Sequence, residues 1–220
     1  PYSLEEKEMK TLEAIENKEP LIYRGRISAD DLLGEPDLLR LEEGEYVAGD
    51  IKSGGGEEGG EDDPRPKKHY AVQLALYTDI LEIKGLSSKR EPFVWDIHGE
   101  EVTYELDELT GKKNPTTLWK IYQEKLNEVR RIVNRTENST PAYSSKCKLC
   151  HWKTECLKTL KNSDDLTLLP ELGRTKRDVL VDEIQTVEEL ANAEIDQFIE
   201  GRKTIFRGIG IKTLEKFKAR

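Results

Sequence analysis

The chain has 220 residues, 35% of them apolar and 36% charged, with a formal net charge of −9. That length holds one ordinary core and a small second domain, and no apolar run is long enough to cross a bilayer. The acidity runs against a general nucleic-acid binder, but it is uneven: residues 1–141 carry 20 basic and 31 acidic side chains, whereas 142–220 carry 15 and 13.

No charged-then-apolar leader opens the chain, so a cytoplasmic location is expected, and the start at Pro1 leads us to expect a piece of a longer protein. Residues 3–17 have the spacing of an amphipathic helix, with Leu4, Met9, Leu12 and Ile15 expected inward. Leu21–Ile27 reads as a first strand.

Gly34-Glu-Pro-Asp37 then leads into Leu38, Leu39 and Leu41, and Tyr46, Val47 and Ile51 follow a Glu-Glu-Gly-Glu turn. Two strands joined as a hairpin are the simplest arrangement. Side chains alternate along a strand, so Asp50 and Lys52 share a face, with Ile51 expected to point into the core and leave its carbonyl free. Asp37, Asp50 and that carbonyl make an all-oxygen set suited to a hard cation such as Mg²⁺ or Mn²⁺, and Lys52 can position a water beside a phosphate. The plainer reading is an Asp-x-Lys charge pair on an exposed strand after an ordinary Pro-Asp turn.

The Gly-rich acidic loop Gly54–Asp63 reads as solvated surface. A helix from about Pro66 to Lys84 carries Tyr70, Gln73, Leu74, Tyr77, Ile80 and Leu81 at helical spacing, which puts Gln73 and Tyr77 on one face. Taken alone, Tyr77 could be core and Gln73 a boundary residue.

Pro36-Asp37, then Asp50-Ile-Lys52 thirteen positions on, then Gln73-x-x-x-Tyr77, resembles the PD-(D/E)XK nucleases, and the last motif the RecB-type branch that includes the iron–sulfur CRISPR adaptation nucleases. The resemblance implies an α/β restriction-endonuclease-like mixed sheet flanked by helices, over about residues 1–160. It also implies Asp37 and Asp50 as metal ligands, Lys52 as catalytic lysine, and Gln73 and Tyr77 as supports for the site and the DNA strand. The implied activity is Mg²⁺- or Mn²⁺-dependent hydrolysis of DNA, on single strands or ends. The alternative is a catalytically inactive DNA-binding or scaffold module that keeps the fold. A helix bearing His in that family lies upstream of this point. Here the first histidine is His69, so that helix either precedes Pro1 or the site is incomplete.

Residues 91–97 and 101–106 read as further strands around a turn at 98–100, and Asn114-Pro115 as the opening of a helix to about Asn134. Cys147, Cys150 and Cys156 fall within ten residues, a spacing for a soft metal rather than a disulfide framework. By the resemblance they are three ligands of a [4Fe–4S] cluster whose fourth cysteine lies upstream, with zinc or three reduced structural thiols as the alternatives.

From about residue 165 the chain places Gly-containing turns ahead of basic helices, around Gly173 and Lys176 and again around Arg207, Gly208, Gly210 and Lys212. These resemble helix-hairpin-helix elements, in which glycine lets backbone amides approach a phosphate. A small all-helical DNA-binding region over 165–220 is expected. Ordinary helical hairpins, with glycines at helix ends, are the competing reading. Thr186-Val-Glu-Glu189 reads as a capping box. DNA is the expected partner, with no membrane, and no protein partner can be read from the sequence.

Overall fold

A computed structural model describes residues 3–60, 64–111 and 114–220; Glu61, Asp62 and Asp63 of the acidic loop lie outside the described residues. The chain divides into two compact units, 1–137 and 138–220.

The first unit opens with α1 (Leu4–Glu16), started by a capping box in which Ser3 Oγ accepts from Glu6 N–H at 3.1 Å and Glu6 Oε2 accepts from Ser3 N–H at 2.7 Å. Of the four residues expected inward, Ile15 is buried and Leu12 half-buried, while Leu4 and Met9 are exposed. The helix meets the core only through its C-terminal turns, where Thr11 and Ile15 sit.

The expected strand 21–27 is broken in two. β1 (Leu21–Tyr23) stops at Arg24, whose φ of +52° turns the chain, and β2 (Ile27–Ala29) instead pairs with β3 (Leu32–Gly34) as a small hairpin. β4 (Leu38–Glu42) and β5 (Glu45–Ile51) form the expected hairpin, in antiparallel register Leu38↔Gly49 to Glu42↔Glu45. Both residues of their two-residue turn have positive φ, Glu43 at +51° and Gly44 at +93°, the backbone that matches the twist of paired strands. A short ribbon, β6 (Glu57–Glu58) and β7 (Arg65–Pro66), follows.

α2 (Lys68–Ile83) carries the chain from β5 to β8 (Phe93–Trp95), which lies parallel to β5, and β9 (Glu101–Thr103) returns antiparallel. The main sheet is therefore mixed, in the order β1-β4-β5-β8-β9. The segment around Asn114-Pro115 does not open the next helix. Thr116–Thr117 pairs as β11 with β10 (Leu109–Thr110), and Thr117 caps α3 (Leu118–Val133) by accepting from Lys120 N–H at 3.0 Å.

α2 packs on β5, β2 and β3, and α3 packs on α2. Leu39, Leu74, Ile80, Leu81, Val94, Tyr104 and Leu106 form the fully buried centre between these layers. Truncating one such leucine to alanine typically costs about 2–5 kcal/mol.

The second unit contains α4 (Lys153–Asn162), α5 (Gly173–Leu180) and α6 (Val187–Asn192), the last opened by the Thr186–Glu189 capping box. A ribbon, β12 (Ile199–Glu200) and β13 (Lys203–Thr204), leads to α7 (Ile211–Lys218). Its own core holds Leu166, Leu172, Leu180, Leu190, Phe206, Leu214 and Phe217. Among the described residues no helix is long and apolar enough to cross a membrane.

Candidate active site

The hairpin register sets the centre of the site. Because Leu38 opposes Gly49, Asp37 and Asp50 occur at facing ends of β4 and β5. Asp37 Oδ2 accepts from Ile51 N–H at 3.0 Å, and the two carboxylates lie near enough for each to shift the other's ionisation. In an extended residue N–H and C=O leave on the same side, so the Ile51 carbonyl shares the edge that faces Asp37.

The face that carries Asp50 is the covered one. Asp50 is only 3% exposed, whereas Ile51 is 47% exposed, so Ile51 does not point into the core as its apolar side chain led us to expect. α2 lies on the Asp50 side of β5 and reverses the assignment.

From α2 two further groups complete a chain of polar contacts. Lys52 Nζ donates to Gln73 Oε1 at 2.8 Å and makes a close ion pair with Asp50 Oδ2. Gln73 Nε2 donates to the Tyr77 hydroxyl at 2.7 Å, and that hydroxyl reaches the Glu35 carbonyl at 3.5 Å. Two residues absent from our sequence reading of the site also take part. Lys52 Nζ stands 5.0 Å over the Tyr70 ring, and Arg24 N–H donates to the Asp37 carbonyl at 2.7 Å. Tyr70 was accessible to helical spacing, one turn before Gln73; Arg24 carries no sequence signal.

Burial acts on both carboxylates, with different results. It pushes Asp50 up to about 6, assisted by Asp37 and opposed by Lys52. For Asp37, burial is outweighed by the hydrogen bonds from Asp50 and Ile51 and by the charges of Lys52 and Arg24, so its carboxyl lies below the usual range. Without a cation, the first proton the pair takes up as pH falls goes to the Asp50 side, as in two crowded carboxylates. Asp50 Oδ2 is buried, and the Lys52 ammonium is its charged partner. A buried carboxylate, a second carboxylate against it and a carbonyl on the same edge are a donor set that fits a hard divalent ion.

The family model for the PD-(D/E)XK nuclease superfamily matches residues 4–157. The chain belongs to that superfamily. Its mixed five-stranded sheet flanked by helices agrees with the restriction-endonuclease-like fold. Membership brings nuclease, hence hydrolase, activity on a nucleic-acid substrate, and superfamily members generally use divalent metals such as Mg²⁺ or Mn²⁺. No curated protein matches the chain.

The match to this nuclease superfamily runs across the division of the two units and ends just beyond Cys156. The cysteine segment itself belongs to the second unit. Among the described residues no group of three or more His, Cys, Asp or Glu side chains is arranged to hold a metal ion. Cys147, Cys150 and Cys156 are free thiols. Cys147 sits in a 3-10 turn, Ser145–Leu149, where its sulfur accepts from Ser144 N–H at 3.4 Å; Cys150 is exposed and Cys156 lies in the first turn of α4. The three thiols thus do not present the converging set that a cluster or zinc site needs.

The glycines of the second unit adopt the backbone that their residue type allows. Gly173 has φ +65° at the start of α5 and Gly208 φ +79° before α7, which Gly210 caps. A cavity of about 360 Å³ is lined by Leu172, Gly173, Arg174, Lys176, Arg207 and Gly208, so the two turns open onto common space. Lys176 Nζ is engaged there by the Glu171 carbonyl at 2.6 Å, while Lys212 is exposed on α7.

Proposed function

We propose that the chain is a Mg²⁺- or Mn²⁺-dependent deoxyribonuclease of the RecB type, hydrolysing phosphodiester bonds in single strands or at ends. The observation that carries this reading is the convergence of the Asp37–Asp50 pair with Lys52, backed by the Lys52–Gln73–Tyr77 hydrogen-bond chain.

Asp37, Asp50 and the Ile51 carbonyl would hold the cation, which supplies positive charge at the scissile phosphate. Lys52 positions the attacking water and balances charge on the phosphate. Gln73 fixes the ammonium through Oε1 and is itself fixed by Tyr77, so the lysine is oriented before substrate arrives. Water forms a bond to phosphorus as the bond to the sugar oxygen breaks, and that oxygen departs with a proton.

The second unit serves in this reading as a helix-hairpin-helix DNA-binding region. Amides beside Gly173, Gly208 and Gly210, with Lys176, Arg207 and Lys212, approach phosphates without reading bases.

The test is cleavage of an end-labelled single-stranded oligodeoxynucleotide in Mg²⁺, Mn²⁺ or chelator. Wild type is expected to cleave only with metal, and Lys52→Ala to lose at least about 100-fold, in the range of removing one charge-stabilising group. Salt-dependent binding in chelator with no cleavage in either metal would establish the inactive scaffold instead.

A further inference from the structure

A second concave surface opens beside the site. It measures about 400 Å³ and is lined by Lys7, Lys10, Thr11, Ile22, Tyr23 and Arg24. Three of these six residues are cationic and none is acidic, against a net charge of −9 for the whole chain.

Its floor is fixed to the carboxylate pair by short covalent and hydrogen-bonded links. Arg24 N–H donates to the Asp37 carbonyl at 2.7 Å, and Tyr23 pairs with Leu38, the residue after Asp37. On the other side, Arg26 N–H donates to Thr11 Oγ1 at 3.0 Å, tying the turn to α1. Arg24 occupies this turn at φ +52°, a conformation that a long side chain adopts only when its surroundings impose it. Among the described residues its guanidinium makes no hydrogen bond or ion pair. Lys7, one turn of α1 away from Lys10, pairs with Glu35 at 2.9 Å, and Arg26 pairs with the same carboxylate at 2.6 Å. Tyr23 is 67% exposed beside these cations.

We propose that this cleft binds a phosphodiester of the substrate strand adjacent to the scissile one, with Arg24 as the principal contact, Lys10 beside it and Tyr23 as a stacking surface for the attached base. The proposal rests on the nuclease reading, since it is the neighbouring carboxylate site that gives a polynucleotide, rather than a free anion, reason to pass here. Cations alternating with an exposed aromatic ring are the pattern that holds a single strand without base selection.

The experiment measures binding of fluorescein-labelled oligo-dT to the full chain by anisotropy, in Ca²⁺ and across a salt series, with inorganic phosphate as competitor in a separate arm. Arg24→Asn keeps the turn, because asparagine tolerates positive φ. It is expected to weaken binding about 5–10-fold and to reduce the slope of log affinity against log salt by about 0.7, the loss of one single-strand phosphate contact. Arg24→Lys restores the slope, and Lys89→Asn, whose charge is spent on Glu43, leaves it unchanged. Contacts made by the second unit are common to all variants and cancel in the difference. Unaltered affinity and slope in Arg24→Asn and in Arg24→Asn/Lys10→Gln would overturn the proposal, as would binding lost entirely to inorganic phosphate at ionic strength held constant. Cleavage in Mg²⁺ or Mn²⁺ is scored separately. If it is absent while the Arg24 dependence persists, the nuclease reading fails and the cleft stands; if it is present with no Arg24 dependence, the cleft alone fails.

Discussion

Gln73 holds Lys52: its Oε1 accepts from the Lys52 ammonium at 2.8 Å, while its Nε2 donates onward to Tyr77 at 2.7 Å. The amide therefore spends one end on the charge of the site and the other on a buried phenol. Gln73→Leu removes both bonds and leaves the ammonium anchored to Asp50 alone. Cleavage is expected to fall roughly 10–100-fold, the range seen when a supporting partner of a metal site is lost. Tyr77→Phe removes one neutral bond, worth about 0.5–1.5 kcal/mol, so a loss of up to about 10-fold is expected. Because the two contacts are in series, the double variant should lose less than the product of the single losses; full additivity in kcat would dissolve the proposed chain.

Asp50 presents a conflict between charge and burial. Its carboxyl has an ordinary value of 3.8 and is pushed up to about 6 in the fold, mainly by burial. Between these values the folded chain keeps a proton that the unfolded chain has released, so this group's contribution to stability declines as pH rises from about 4 to about 6 and is level above. Asp37 runs the other way: its lowered carboxyl stabilises above the ordinary value and loses that contribution as pH falls through the folded one. Asp50→Asn removes the first of these effects outright, while Asp37 keeps its bond from Ile51 N–H and the charges of Lys52 and Arg24. In chelator it is expected to melt higher than wild type at pH 8, by roughly 1–3 kcal/mol at about 1.4 kcal/mol per pK unit, with the difference shrinking toward pH 4.5. Its activity is expected to be lost at every pH. Thermal melts at the two pH values decide it, and a variant less stable than wild type at pH 8 contradicts the account.

How much of this was legible in the sequence follows from what period and turn chemistry can encode. Alternation put Asp50 and Lys52 on one face, and the glycine at the Glu43–Gly44 turn joined their strand to Asp37. Nothing local says which face a helix will cover, and α2 covers the charged one, so Ile51 is outside and Asp50 inside. The same limit applies to Leu4 and Met9, whose spacing suits a core that α1 reaches only at its other end. Arg24 breaks the first strand by a positive φ in a turn tied to the Asp37 carbonyl, which its own residue type does not signal. Pro115 signals a helix start, but the start is displaced to Thr117 because residues 116–117 pair with 109–110. Gln73 and Tyr77 were legible because four residues along a helix fix their relation independently of tertiary context.

Gly34 is the least conspicuous residue that the site depends on. A Cβ there would lie 2.6 Å from Tyr77 Cδ1 and 2.9 Å from Cε1, so alanine forces the ring to move. The displaced ring takes its hydroxyl away from Gln73. Gly34→Ala is expected to destabilise the first unit by about 1–3 kcal/mol, the usual cost of overpacking, and to reduce cleavage as Tyr77→Phe does. Adding Tyr77→Leu to it should recover stability but not activity. Failure of the pair to recover stability would place the clash elsewhere.

All five site residues and the core beneath them lie within 1–137, and the second unit has a core of its own. A chain ending at Glu137 is therefore expected to unfold as one cooperative transition and to retain metal-dependent cleavage, with weaker binding to a long single strand. In the full chain, Arg207→Gln and Lys212→Gln are each expected to lower affinity several-fold for all sequences alike and to reduce the salt slope by about 0.7. Neither should change cleavage at saturating substrate, since neither residue lies in the unit that holds the carboxylates. The informative comparison is the salt slope of the 1–137 chain against that of the full chain: equal slopes would mean that the turns at Gly173 and Gly208 touch no phosphate, and the second unit would then need a different role.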